Sequence, residues 1–323
     1  MMTAKVFNIA PAIESHVIKV IGVGDAGSNA VEKMIRDNVG GVEFLCCNTD
    51  AQAMESSSAR VKLQLGPGVS ADGVPRTGRA YALAARDRIT EALRGAELVF
   101  IVAGMGGGTG TGASPIIAEI THSLGIFTLA VITLPFDNEG QRLPLADAGA
   151  ADLARNVDCP IVIRNEKVAE LIGAGSDNSN ALRASDDAIC SAVKAIAEMV
   201  NAPGLMNADL NDVKTVMGNK GRLLKMKALI GSGVAAGVDR VQVAVERAVN
   251  SPLLGGNTLA VASNVLLNIT ADNGFCVKEL KETMSVLRQY IHPQALMIVG
   301  AVFDDRLGNQ LGVTVIACGT GLP

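Results

Sequence analysis

The chain has 323 residues, 49% hydrophobic and 19% charged, with a net charge of −4. This composition can bury a core and excludes a disordered chain, and the length suits two domains better than one. Mild acidity, the absence of Trp and the scarcity of Tyr and Phe exclude a nucleic-acid backbone as the default partner and stacking platforms for single strands.

The predicted elements follow in chain order. Val17 to Gly22 is a β-branched run that reads as a buried strand, followed by a glycine turn and a helix over Asn29 to Arg36. Strands are expected over Val42 to Cys47 and Val61 to Leu65, then a helix over Arg76 to Leu93. Glu97 to Val102 reads as a strand, Pro115 to Leu124 as a helix, Thr128 to Leu134 as a strand. Leu145 to Val157 reads as a helix and Ile161 to Arg164 as a strand. This alternation predicts an α/β fold with a doubly wound parallel sheet. A long apolar-periodic helix over Asn180 to Val200 comes next, and the texture then changes. Val213 to Met217, Leu266 to Thr270, Leu296 to Phe303 and Gly312 to Cys318 read as strands of a second sheet. Val238 to Val249 and Val277 to Tyr290 read as its helices.

No apolar run reaches the ~20 residues of a membrane span, and the first 16 residues lack a signal peptide's pattern. A cytoplasmic protein without direct membrane insertion is therefore expected. The cysteines (Cys46, Cys47, Cys159, Cys190, Cys276, Cys318) show no C-x-x-C spacing and read as buried thiols in a reducing compartment. His16, His122 and His292 lie far apart, and no metal-ligating cluster is visible.

Two glycine loops carry the chemistry. Gly22-Val-Gly24-Asp25-Ala26-Gly27-Ser28-Asn29 matches G-x-G-x-x-G between a strand and a helix, which lets backbone N–H groups approach phosphate. Alone it also fits a nicotinamide-dinucleotide enzyme, with Asp50 as the later acid, or a tight turn without a ligand. The second loop, Gly104-Met-Gly106-Gly107-Gly108-Thr109-Gly110-Thr111-Gly112, interleaves glycines with two threonines. It forms a surface of N–H and hydroxyl donors that can wrap a polyphosphate. A Walker-type loop needs a lysine after its last glycine, and Ala113 stands there instead. Phosphate charge must then be met by backbone dipoles and a metal ion.

The run GMGGGTGTG resembles the signature of the tubulin/FtsZ family, and its bacterial FtsZ branch in particular. VIGVGDAGSNAV, GVEFLCCNTDAQAM, PFDNEGQR, IRNEKV, ASDDAI, GLMNADLNDVKTVM, SPLL and LNIT resemble further family landmarks in order, from about Ile18 to Gly319. The resemblance implies a GTPase domain joined by a long central helix to a smaller α+β domain. The expected boundaries are a flexible N-terminus over 1–16, a nucleotide-binding domain over 17–178, the central helix over 179–203, an activation domain over 204–319 and an end over 320–323. It further implies that GTP or GDP, with Mg2+ and with potassium as a candidate second ion, binds at Gly24, Asp25, Ala26, Asn29, Asn48, Ala71, Gly106, Gly107, Gly108, Thr109, Gly110 and Thr111 on the phosphate side. Pro135, Glu139 and Arg142 match the ribose side, with Glu139 as the ribose acid. Asn165, Arg183 and Asp187 match the base side, where an amide and a carboxylate together can read guanine. Asn207, Asp209 and Asp212 match a catalytic loop that one subunit inserts into the next subunit's site. Read without the resemblance, N-x-D-x-x-D is a helix cap. The implied function is a GTPase that polymerises head-to-tail, is activated by its own assembly, and hydrolyses GTP at the joints.

Departures from the family pattern point to a specialised member. Asp25, Ala26 and Ser28 interrupt the first glycine run, and Ser70 and Asp72 replace glycines in the loop around Ala71. A carboxylate ~4 Å from phosphate costs about 4 kcal/mol at an effective dielectric of ~20, so Asp25 must turn away or act through a metal. Arg183 stands where the family stacks an aromatic, and Leu143 stands where it has a base, with Arg142 one position early. Lys220, Arg222, Lys225 and Lys227 give a basic insertion that reads first as a solvated loop. The sequence stops at Pro323, where the family continues to an adaptor-binding tail. That predicts a tail-less paralogue without tail-binding adaptors, similar to the FtsZ-like protein of magnetotactic bacteria, at the division site or at a membrane-associated structure such as the magnetosome. The alternative is a nucleotide-binding regulator that co-assembles with a full-length FtsZ and turns over weakly or not at all.

Overall fold

The computed structural model describes residues 16–173, 178–218, 226–319 and 322. The predicted N-terminal segment before His16, the basic positions Lys220, Arg222 and Lys225, and most of the end over 320–323 lie outside the described residues.

The first half alternates strands and helices: β1 (Ile18–Val23), α1 (Gly24–Arg36), β2 (Glu43–Asn48), α2 (Ala51–Ser56), β3 (Val61–Gln64), α3 (Pro75–Ala84), α4 (Arg86–Leu93), β4 (Leu98–Gly104), α5 (Gly108–Ser123), β5 (Phe127–Leu134), α6 (Arg142–Leu153), β6 (Cys159–Arg164) and α7 (Asn165–Ile172). The six strands are parallel and lie in the order β3-β2-β1-β4-β5-β6. Helices cover both faces, so β4 and β5 are buried almost end to end and carry largely apolar runs rather than alternation, with Thr128 and Thr133 the polar positions of β5. The order reverses direction at β1 and β4. That opens a crevice beyond the carboxyl ends of the strands, where such sheets bind ligands.

The helix α8 (Asn178–Asn201) follows. Ile189, Val193, Ile196 and Met199 recur at helical spacing and are at most 1% exposed. Burying four such side chains contributes roughly 6–12 kcal/mol as an upper estimate. At one end, Ser185 Oγ lies 3.0 Å from Asn165 Oδ1, just past β6. At the other, Asn201 exchanges two hydrogen bonds with the backbone of His16, just before β1. The helix therefore runs from the carboxyl edge of the sheet to its amino edge, and sixteen residues at 1.5 Å each make that about 24 Å.

The second half comprises β7 (Gly204–Met206), α9 (Leu210–Met217), β8 (Lys227–Ala236), α10 (Arg240–Val249), α11 (Thr258–Val261), β9 (Asn264–Ala271), α12 (Val277–Leu287), β10 (Leu296–Phe303) and β11 (Gln310–Gly319). Its strands are mixed in direction, in the order β8-β11-β9-β10-β7. The expected second sheet is not separate: one bridge, Ile161 with Ala228, joins β6 to β8 and makes a single eleven-stranded sheet. A polar tie reinforces the junction. Asp304 accepts hydrogen bonds from Arg306 and from Lys194 of α8, and Arg306 also donates to the backbone oxygen of Asp37 beyond α1 at 3.1 Å. The Arg306 and Lys194 hydrogen bonds hold the Asp304 carboxyl well below the usual carboxylate range.

Several expectations are corrected. The predicted strand over Val213 to Met217 is the helix α9. Its β-branched content suggested a strand, but Val213, Val216 and Met217 are buried together at helical spacing. The helix predicted from Arg76 to Leu93 breaks at Ala85 into α3 and α4. Both glycine loops are wound into helix starts, at Gly24 and Gly108, rather than preceding helices as loops. α2, α7, β7 and most of β8 had no strong periodic signal. Cys276 is exposed, unlike the other five cysteines.

Candidate functional site

Six helices begin at the carboxyl edge of the parallel sheet; Asp50 caps α2, and the other five carry no side-chain cap: α1 after β1, α3 after β3, α5 after β4, α6 after β5 and α7 after β6. The first N–H groups of a helix have no intrahelical partner. Converging several such ends, with their positive dipoles, makes a concave surface suited to an anion.

The predicted phosphate-side residues meet here. Gly24 (φ +71°) lets the chain turn straight from β1 into α1, and a Cβ there would stand 3.1 Å from the backbone nitrogen of Gly110. The starts of α1 and α5 are thus in contact. Asp25 Oδ1 accepts a hydrogen bond from Asn48 Nδ2 at 2.9 Å, and the hydroxyls of Thr49 and Thr109 are 2.8 Å apart. The Gly106 N–H donates to Thr111 Oγ1 at 2.8 Å, which closes the second loop on itself. Ala71 packs against Gly108, and Pro135 and Arg142 pack against Gly106 (φ +94°). Ala26 faces Gly104, and Asn29 is exposed on α1.

Glu139 is partly buried beyond β5. It accepts a hydrogen bond from the Phe136 N–H at 2.8 Å and pairs with Arg142 at 2.5 Å. Arg142 thus occupies the basic place beside the acid from the first residue of α6. Asn165, 6% exposed, opens α7, and Ser185 holds its amide oxygen. Asp187 lies on α8, where its carboxylate is 2.7 Å from Lys33 Nζ. Lys33 also pairs with Asp37 at 2.9 Å, and these two acids hold its ammonium well above the usual lysine range. Arg183 is exposed on the same helix. Among the described residues, no group of three or more His, Cys, Asp and Glu could hold a metal.

Asn207, Asp209 and Asp212 lie elsewhere. Asp209 caps α9: its Oδ1 accepts from the Asp212 N–H at 2.8 Å, and Asp212 Oδ2 accepts from the Asp209 N–H at 3.1 Å. Asn207 Nδ2 donates to the Ala202 oxygen. Lys214 and Gly218 at the far end of α9 share a cavity of about 470 Å³ with Ile126 and Phe127, where β5 begins. Asn264, the first residue of β9, donates to the Val216 oxygen at 2.8 Å. The acid loop is therefore tied to the amino edge of the sheet, a full strand length of roughly 23 Å from the glycine loops. Lys33 and Ser185 are the residues that sequence reading missed. The Lys33–Asp37 spacing of i,i+4 was visible, but the pairing with α8 depends on packing.

The model of the GTPase domain of the tubulin/FtsZ family matches residues 17–173, and that of the FtsZ C-terminal domain matches residues 226–321. The chain is 45% identical to the cell division protein FtsZ of Pseudomonas aeruginosa over 313 residues, covering 95% of this chain and 78% of that one. The chain belongs to the FtsZ branch of the tubulin/FtsZ family. It is a GTPase of that family, with the tubulin/FtsZ fold. It is also 44% identical to the cell division protein FtsZ of Neisseria meningitidis serogroup B, over 97% of this chain and 81% of that one. The FtsZ dimer of M. jannaschii superposes with a TM-score of 0.88 at 34% identity, covering 95% of this chain and 89% of that chain.

Proposed function

We propose that this FtsZ-family chain binds GTP across the carboxyl edge of its parallel sheet, polymerises head-to-tail, and hydrolyses GTP at each joint as a cell-division-type filament protein. Backbone N–H groups of α1 and α5, with Thr109 and Thr111, hold the phosphates. Glu139, steadied by Arg142, holds the ribose. Asn165 and Asp187 read the guanine edge, and Arg183 lies over the base. Asp25, Thr49 and Thr109 offer a carboxylate and hydroxyls, hard oxygen donors that suit Mg2+ held mainly by phosphates. Such an ion would neutralise phosphate charge. The protein is read as cytoplasmic. No helix among the described residues is long and apolar enough to cross a membrane.

The observation that carries this reading is the separation of Asp209 and Asp212 from the glycine loops, at opposite edges of one subunit. An acid loop at one pole and a polyphosphate cradle at the other can meet only between subunits. A head-to-tail contact of that kind does not close on itself and generates filaments. Asp209 and Asp212 then position the attacking water, and catalysis is chiefly placement and electrostatics.

The test is phosphate release from GTP per subunit as protein concentration is raised, with magnesium and potassium present. Release near zero when dilute and rising steeply above a threshold is expected. A constant rate per subunit would mean a site complete within one chain and would overturn the mechanism. A second reading is a co-assembling regulator of a full-length FtsZ, favoured by the carboxylate of Asp25 beside the phosphate cradle. It predicts GTP binding without release at any concentration.

A further inference from the structure

Asp25 is the second residue of α1, at the seam between the two phosphate loops. Asn48 holds its Oδ1 at 2.9 Å, and the next residue, Thr49, meets Thr109 at 2.8 Å. Among the described residues its Oδ2 accepts no hydrogen bond. The carboxylate thus has a fixed place beside the uncapped N-termini of α1 and α5 rather than swinging freely into solvent. Two effects conflict at this place. A carboxylate in the first turn of a helix is favoured by the same positive dipole that would attract phosphate. A phosphate arriving there meets both the N–H donors and a negative charge that a pure glycine loop lacks. A hard divalent cation removes the conflict, because carboxylate and phosphate oxygens are both good ligands for it and can share it.

We propose that Asp25 makes nucleotide binding by this chain conditional on a divalent cation standing between its carboxylate and the phosphates. A glycine at this position imposes no such condition, since backbone N–H groups meet phosphate directly. Asn48 is a positioning residue in this scheme: its amide holds one carboxylate oxygen and leaves the other free to take the cation. The inference rests on the GTP site proposed above and adds a requirement special to this chain.

The experiment is equilibrium titration of the full chain with a fluorescent GDP analogue, in magnesium and in EDTA. It is done for the natural sequence, Asp25→Asn and Asp25→Gly. GDP removes turnover from the readout, and the quantity compared is the ratio of Kd in EDTA to Kd in magnesium. The natural chain should weaken on the order of 100-fold on chelation, a screened charge–charge effect, and both variants by less than about tenfold. Equal ratios in all three proteins would overturn the role of Asp25 while leaving the GTP site standing. No binding by any of the three in either buffer would overturn the site itself, and the inference with it.

Discussion

Asp186 and Asp187 are neighbours on α8 with opposite circumstances. Asp187 is exposed and paired with Lys33. Asp186 is partly buried against α1, and burial, then the charge of Asp187, pushes its carboxyl up to about 6, against the pull of Lys33 and Arg36. An acid raised in this way binds its proton longer in the native state than in the unfolded chain. Stability therefore falls as pH rises from about 4, the unfolded value, to about 6, and the full penalty persists above that. Asp186→Asn should raise stability by about 1–2 kcal/mol at pH 7, after discounting for solvent screening, and change little at pH 4. Urea midpoints at the two pH values decide it, and an unchanged or lower midpoint at pH 7 would show that the carboxylate is not strained. Sequence reading named Asp187 through the family motif but gave no reason to separate it from Asp186. Which of two adjacent acids meets Lys33 is fixed by how α8 lies on α1, and no local pattern encodes that. Glycine positions were easier to read, because Gly24 and Gly106 both occupy positive φ that other residues avoid.

At the scale of elements, α9 sets two explanations of the same residues against each other. Asp209 and Asp212 make a reciprocal cap, which is sufficient reason for an N-x-D-x-x-D run within one subunit. The family role requires their carboxylates for chemistry as well. Asp209→Ser separates the two, since serine caps a helix about as well as aspartate but carries no charge. Stability should stay within about 0.5 kcal/mol of the natural chain, while GTP turnover drops by roughly 10- to 100-fold. Turnover near the natural value with an intact α9 would reduce the motif to a cap. The same helix shows why the sheet was more legible than the second half. The strands β4 and β5 are buried on both faces and read as largely apolar runs, and β1 does so apart from Lys19. Val213 to Met217 is β-branched and short, and only its cap, Asp209, four residues upstream, marks it as helical. The glycine-rich starts of α1 and α5 read as loops because glycine costs about 1 kcal/mol in a helix. Close packing overrides that preference: a Cβ on Gly112 would come to 2.0 Å from the backbone oxygen of Pro75.

For the whole molecule, α8 is the element that gives the subunit two poles. It starts beside Asn165 at the carboxyl edge of the parallel sheet and ends beside His16 at the other, and the acid loop follows it after the short strand β7. A substitution in that loop should therefore leave the subunit's own GTP site intact. Asp212→Ala is expected to bind GTP normally, assemble, and release almost no phosphate by itself. Each of its subunits still presents a complete cradle to whatever loop docks on it. Natural subunits kept below their assembly threshold should be inactive for want of neighbours. Adding an excess of Asp212→Ala would supply those neighbours, so that each natural loop finds a loaded cradle. Phosphate release per natural subunit should then climb toward the rate of a concentrated sample, driven by a variant that is inactive alone. A site contained within one chain gives the opposite result: the dilute natural subunits would release phosphate at the same rate whether or not the variant was present.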